Sequence, residues 1–197
     1  MKPVLILLPG ASGSFTKSMV DCLIPKLELT FNVRTRPGKW KGWNPNSNEN
    51  VHSVLKLCPK DGIYYILGNS FGNHVLCSMI VNNSFAKADA FPPSKIILCG
   101  YPMYNDKCTN ERVDLIKSLP KNTKVLCISG SNDNFLKHNG SKQGKSLYET
   151  IISTMLCKDT TELHIVENGG HGVIDVKKSE MNIIVNKVFK WITDFIQ

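Results

Sequence analysis

Residues 63–74 read Ile63-Tyr64-Tyr65-Ile66-Leu67-Gly68-Asn69-Ser70-Phe71-Gly72-Asn73-His74, and this stretch decides the fold. Positions 63–67 form an unbroken apolar and aromatic run, expected of a strand buried on both faces. A Gly-x-Ser-x-Gly sequence follows at once, and a helix is expected from there to about residue 83. A serine between a strand and a helix, with glycine two residues to either side, suits a very tight turn. The glycines leave room where strand and helix cross, the turn exposes the serine oxygen, and the next N–H begins a helix. That N–H, on Phe71, is placed to donate to a developing oxyanion.

Outward from this point, short β-type runs alternate with helical ones. Strands are expected over 4–8, 29–34, 63–67, 95–99, 124–129 and 162–166. Helices are expected over 16–27, 49–57, 109–119, 142–157 and 179–196, besides the one that follows Ser70. Strand–helix alternation implies βαβ crossovers and a parallel sheet covered on both faces. With no internal repeat, linker or low-complexity tract, residues 1–197 are expected to form a single α/β domain.

Composition narrows the function classes. The chain has 197 residues, 42% hydrophobic and 20% charged, near globular averages and unlike a disordered chain. No apolar run approaches the roughly 18–20 residues of a membrane span. The stretch Met1-Lys2-Pro3-Val4-Leu5-Ile6-Leu7-Leu8 is too short in its apolar core for a signal peptide and reads better as a first strand. A cytoplasmic protein is expected, a nuclear one being the alternative. The net charge of +8 invites a nucleic-acid reading, but the basic residues are dispersed and accompany no nucleic-acid-binding motif. No nucleic-acid or membrane partner is expected. The seven cysteines are scattered singly, with no zinc spacing, and several lie inside apolar runs, so buried thiols are expected rather than disulfides. No metal or organic cofactor is implied.

In parallel sheets, chemistry gathers at the carboxyl ends of the strands. The loop after the first strand, Pro9-Gly10-Ala11-Ser12-Gly13-Ser14, lacks the lysine of a phosphate-binding loop, and its glycines let backbone approach a reacting carbonyl. Ala11 or Ser12 is the expected second oxyanion donor beside Phe71. Of five histidines, His171 alone lies in a loop after the last strand, in Gly169-Gly170-His171-Gly172, and is the expected base. His74, on the helix after Ser70, and His164, within a strand, are read as structural. After the fifth strand comes Ser129-Gly130-Ser131-Asn132-Asp133, and Asp133 is the expected acid that orients the imidazole, with Asp106 in reserve.

The segments Leu8-Pro9-Gly10-Ala11-Ser12-Gly13, Gly68-Asn69-Ser70-Phe71-Gly72, Cys99-Gly100-Tyr101-Pro102, Ile128-Ser129-Gly130-Ser131-Asn132-Asp133 and Gly170-His171 occur in one order. In that order they resemble the small, lidless α/β-hydrolases related to dienelactone hydrolase, especially the testis-expressed-protein-thirty-like group. Asn69 and Phe71 stand where that group carries arginine and methionine. The resemblance implies an α/β-hydrolase fold, a three-layer domain with about six strands in the order 2-1-3-4-5-6. It further implies a serine hydrolase cleaving a small ester or thioester through Ser70, His171 and Asp133. A catalytically silent scaffold that binds a protein partner is the alternative. The connection over 101–124 is too short for a large lid, which suits a small-molecule acyl substrate. The loop carrying Arg36, Lys39, Trp40, Lys41 and Trp43 is expected to border the site, with Arg36, Trp40 and Trp43 on the substrate or else the tryptophans packed back on the body. Tyr101 either lines the acyl pocket or packs beside it.

Overall fold

The structure, a computed structural model, describes residues 2–104, 111–138, 141–142 and 144–197. Six parallel strands make one sheet: β1 (Val4–Leu8), β2 (Asn32–Thr35), β3 (Tyr64–Asn69), β4 (Lys95–Cys99), β5 (Val125–Gly130) and β8 (Thr161–Val166). Their order across the sheet is β2-β1-β3-β4-β5-β8. This is the expected 2-1-3-4-5-6 order once the two-residue strands β6 (Lys137–His138) and β7 (Ser141–Lys142), which pair only with each other, are set aside.

The central strands are buried along their whole length because each has neighbours on both sides and helices on both faces. Alternate residues feed two separate cores, as the two-residue period of a strand dictates. Ile6, Leu8, Ile66, Leu98 and Cys127 join one core, while Leu5, Leu7, Leu67, Ile97 and Ile128 join the other. The first core is covered by α2 (Asn48–Leu55), α3 (Phe71–Val81), α5 (Glu111–Lys117) and α6 (Gly144–Ser153), and the short α4 (Ser84–Lys87) follows α3. The second is covered by α1 (Ile24–Thr30), the π-helical turn Met19–Leu23 that precedes it, and α7 (Met181–Ile196).

Several boundaries differ from expectation, among them that of the helix expected over 142–157, which spans Gly144–Ser153, with Lys142 in β7. The first crossover helix runs on to Thr30, leaving Leu29 76% exposed, so the second strand begins at Asn32 rather than at 29. Residues 109–110 at the start of the expected fifth helix, Asp106 and Cys108 all lie outside the described residues. The thiols of Cys77, Cys99, Cys127 and Cys157 are buried, and burial pushes that of Cys99 up to about 12. Among the described residues, no helix is long and apolar enough to cross a membrane.

Candidate active site

The turn from β3 into α3 carries Ser70 at φ 51°, ψ −117°, a backbone conformation that a non-glycine residue seldom adopts. The glycines on either side are required by space. A Cβ on Gly72 would lie 2.5 Å from the Leu8 carbonyl oxygen, and one on Gly68 would lie 2.9 Å from the Asn73 nitrogen. The turn is tied to the end of β4, where the Cys99 carbonyl accepts from the Ser70 N–H at 3.2 Å and from Asn73 Nδ2 at 2.9 Å.

So held, the Ser70 hydroxyl donates to His171 Nε2 at 2.8 Å, and His171 Nδ1 donates to Asp133 Oδ2 at 2.9 Å. Three residues from three strand ends, far apart in sequence, thus form one hydrogen-bonded chain. The Asp133 carboxylate is fully buried, and its second oxygen accepts from the Phe135 N–H at 2.9 Å. That bond keeps both oxygens of the carboxylate engaged in a dry setting. The Phe135 ring packs against the imidazole, with centroids 4.4 Å apart, so one residue steadies both Asp133 and His171. Sequence reasoning missed Phe135, although its position two residues beyond Asp133 in the same tight turn was a usable signal.

Phe71 is the first residue of α3, where an N–H has no partner within the helix. Ala11 lines the cavity beside Ser70, whereas Ser12 is exposed and its hydroxyl pairs with that of Ser14. The loop that carries them is clamped from outside the site. Trp40 is buried and its Nε1 donates to the carbonyls of Pro9 and Gly10, each at 3.0 Å. Gly13, at φ +79°, sits against the backbone of Gly38, where any Cβ would overlap. Arg36 in turn holds that neighbour: its Nη1 donates to the Gly38 carbonyl at 2.6 Å, and its guanidinium covers the Trp40 ring at 3.8 Å.

The basic, tryptophan-bearing loop therefore divides. Arg36 and Trp40 are packed back on the body under the Ala11 loop, and burial lowers the Arg36 guanidinium below its ordinary value. Trp43, 74% exposed, stands on the cavity wall with its ring edge-on to Phe71 at 5.7 Å. Tyr101 is completely buried: its hydroxyl donates to the Arg112 carbonyl at 2.7 Å and its ring packs edge-on to His74. It supports the wall from behind.

The cavity over Ser70 has a volume of about 270 Å³ and is walled by Ala11, Trp43, Phe71, Pro102 and Phe135. His74 and Arg112 complete the lining. Burial, with the Arg112 charge adding to it, pushes the His74 imidazole down to about 3, so this ring is neutral over the ordinary pH range. Among the described residues, no group of three histidine, cysteine or acidic side chains converges as a metal site would require.

The architecture can be matched to known structures. The serine hydrolase involved in carbazole degradation (the CarC enzyme) superposes with a TM-score of 0.64 at 14% identity, covering 100% of this chain and 91% of that one. The esterase Est1E from Butyrivibrio proteoclasticus gives 0.62 at 12% identity over 99% and 88%. The fold is that of the α/β-hydrolases. A thioesterase domain from the curacin biosynthetic pathway shares it, at 0.62 and 9% identity over 98% of this chain and 91% of its own. In sequence, no family model and no curated protein matches.

Proposed function

We propose that this α/β-hydrolase-fold chain is a serine hydrolase cleaving a small carboxylic ester or thioester. The observation that carries the reading is the chain from Ser70 through His171 to Asp133 at 2.8 and 2.9 Å, with the serine raised on a strained turn. The esterase and thioesterase names among proteins of like fold are consistent with it.

In the reaction, Ser70 Oγ attacks the carbonyl carbon while His171 Nε2 takes the hydroxyl proton. Asp133 holds the imidazole tautomer whose Nδ1 carries hydrogen and stabilises the imidazolium. The oxyanion is received by the N–H of Phe71 at the start of α3 and by that of Ala11 or Ser12. The tetrahedral species collapses, the leaving oxygen or sulfur takes the proton from His171, and an acyl-Ser70 ester remains. Water, deprotonated by the same histidine, attacks that ester, and the acid departs as Ser70 recovers its proton. Arg36, Trp40 and Tyr101 act through the scaffold. Trp43 and Phe135 face the substrate.

The test is labelling of purified protein with a fluorophosphonate, which reacts only with an activated serine. Wild type is expected to label, and Ser70→Ala and His171→Ala to fail while remaining folded by circular dichroism. Absence of labelling in folded wild type would overturn the enzymatic reading and leave the protein-binding scaffold.

A further inference from the structure

A second hollow of about 470 Å³ lies against the Ser70 cavity, and the two share Trp43, Phe71, His74 and Arg112 as lining. The shared wall is mostly aromatic: the Phe71 ring lies edge-on to Trp43 at 5.7 Å and to His74 at 6.1 Å. Phe71 also carries the N–H beside Ser70, so a group bonded at Ser70 meets this wall first and the second hollow next. The residues lining only the second hollow are different in kind. They include the polar Asn46 and Ser78, the acidic Glu111 and, as apolar cover, Leu115.

We infer that the second hollow is a subsite for the long arm of the ester or thioester substrate. The arm is apolar over its first few carbons and ends in a neutral group that both donates and accepts hydrogen bonds, such as an amide or hydroxyl. Two observations set this class. A 270 Å³ cavity alone accommodates a short acyl group, and the adjoining 470 Å³ gives no advantage to a substrate that stops there. The lining offers both signs of charge, Glu111 in the second hollow and Arg112 in the wall that the two share, so a charged end of either sign meets one attraction and one repulsion. A neutral donor–acceptor group pairs with both.

The inference rests on the reading of Ser70 as nucleophile, and the test separates the two. p-Nitrophenyl acetate, heptanoate and 6-acetamidohexanoate would be compared, with a matched set of acetates carrying the same arms on the alcohol side. Burial of each methylene is worth up to about a factor of four, so partial burial of a chain this long gives at least about tenfold in kcat/KM over the acetyl parent. The amide-ended arm is expected to exceed the plain chain in the series, acyl or alcohol, that enters the subsite. Leu115→Trp, which fills the hollow from its helix wall, and Asn46→Trp, which fills it from an exposed loop, are each expected to remove about tenfold from the long-arm substrate. Both are expected to leave p-nitrophenyl acetate within about twofold. The two variants come from different elements, so a folding failure in one leaves the other to decide. A flat chain-length profile in both series, or an equal loss on short and long substrates, overturns the subsite while fluorophosphonate labelling persists. A preference for the plain chain overturns the neutral polar end. Absence of labelling in folded wild type overturns the nucleophile and the subsite together.

Discussion

Replacing Trp40 by phenylalanine removes one buried N–H from beneath the Ala11 loop and changes little else in shape. That N–H is shared between the Pro9 and Gly10 carbonyls at 3.0 Å each, and both residues are buried. Gly10 keeps a second partner in the Gly13 N–H at 2.9 Å, so the larger penalty falls on Pro9. Leaving a buried carbonyl unpaired costs about 1–3 kcal/mol. The smaller ring and the weakened stacking of Arg36 at 3.8 Å add about 1 kcal/mol. A total of about 2–4 kcal/mol is a large part of the roughly 5–15 kcal/mol of a typical domain, yet leaves it folded. At this chain length it corresponds to a fall in Tm of roughly 5–15 °C. Loss of a whole oxyanion donor lowers kcat about 10²- to 10³-fold, so a donor loosened but still present is expected to cost about tenfold, with KM little changed. Urea unfolding and steady-state hydrolysis of p-nitrophenyl acetate measure both. A variant as stable and as fast as wild type would refute the claim that this indole fixes the loop.

Asp133→Asn keeps the shape but loses the charge that favours the imidazolium, and kcat on an acetyl ester is expected to fall by about 10³-fold or more with the Tm lowered only slightly. Gly100 sits at φ +56°, and a Cβ there would overlap the His171 carbonyl oxygen, so Gly100→Ala is expected to cost more than about 2 kcal/mol in urea unfolding and to displace the His171 loop, lowering kcat. Gly42→Ala, also at positive φ but with open space around it, serves as control and is expected to cost about 1 kcal/mol with activity retained. His74 accepts no proton in the folded state above about pH 3, whereas the unfolded chain takes one near 6.5. Its contribution to stability is therefore intact above pH 6.5 and declines as the pH falls, by about 2 kcal/mol at pH 5. His74→Gln is expected to flatten urea midpoints between pH 7 and 5, and an unchanged slope would show that the decline has another source.

The strands that carry the site were legible because burial on both faces leaves a continuous apolar run, as in Val4–Leu8 and Val125–Gly130. The edge strand Asn32–Thr35 has one neighbour and no fully buried residue, so no run marks it, and Leu29, which invited the assignment, is an exposed helix residue. The ladder Lys137–His138 with Ser141–Lys142 is too short to have a period at all. Ser70, His171 and Asp133 could be picked out because a parallel sheet forces its strand ends together. Which side chains of a long loop then turn inward is a different question. Nothing in the order Arg36, Trp40, Trp43 distinguishes the two that brace the loop from the one that walls the cavity. The difference lies in carbonyls of residues 9–10 and 37–39, which only the folded chain brings within reach.

The two histidines near Ser70 show how burial separates groups of the same chemistry. His74 lines the same cavity, and a histidine beside a serine is on composition alone a candidate base. Its Nε2, however, faces the Pro102 carbonyl at 3.4 Å, which calls for an N–H at that nitrogen, and burial forbids a second proton. A ring so held has no use for the serine's hydrogen. The His171 side chain is 28% exposed and backed by a buried carboxylate, so a positive charge on it is solvated on one side and paired on the other. In the proposed reaction the proton leaving Ser70 therefore has one favourable destination. It follows that His74→Gln, though it alters stability at low pH, leaves the shape of the pH–rate profile unchanged where the protein is folded, whereas any substitution that breaks the 2.9 Å contact of His171 with Asp133 is expected to lower kcat.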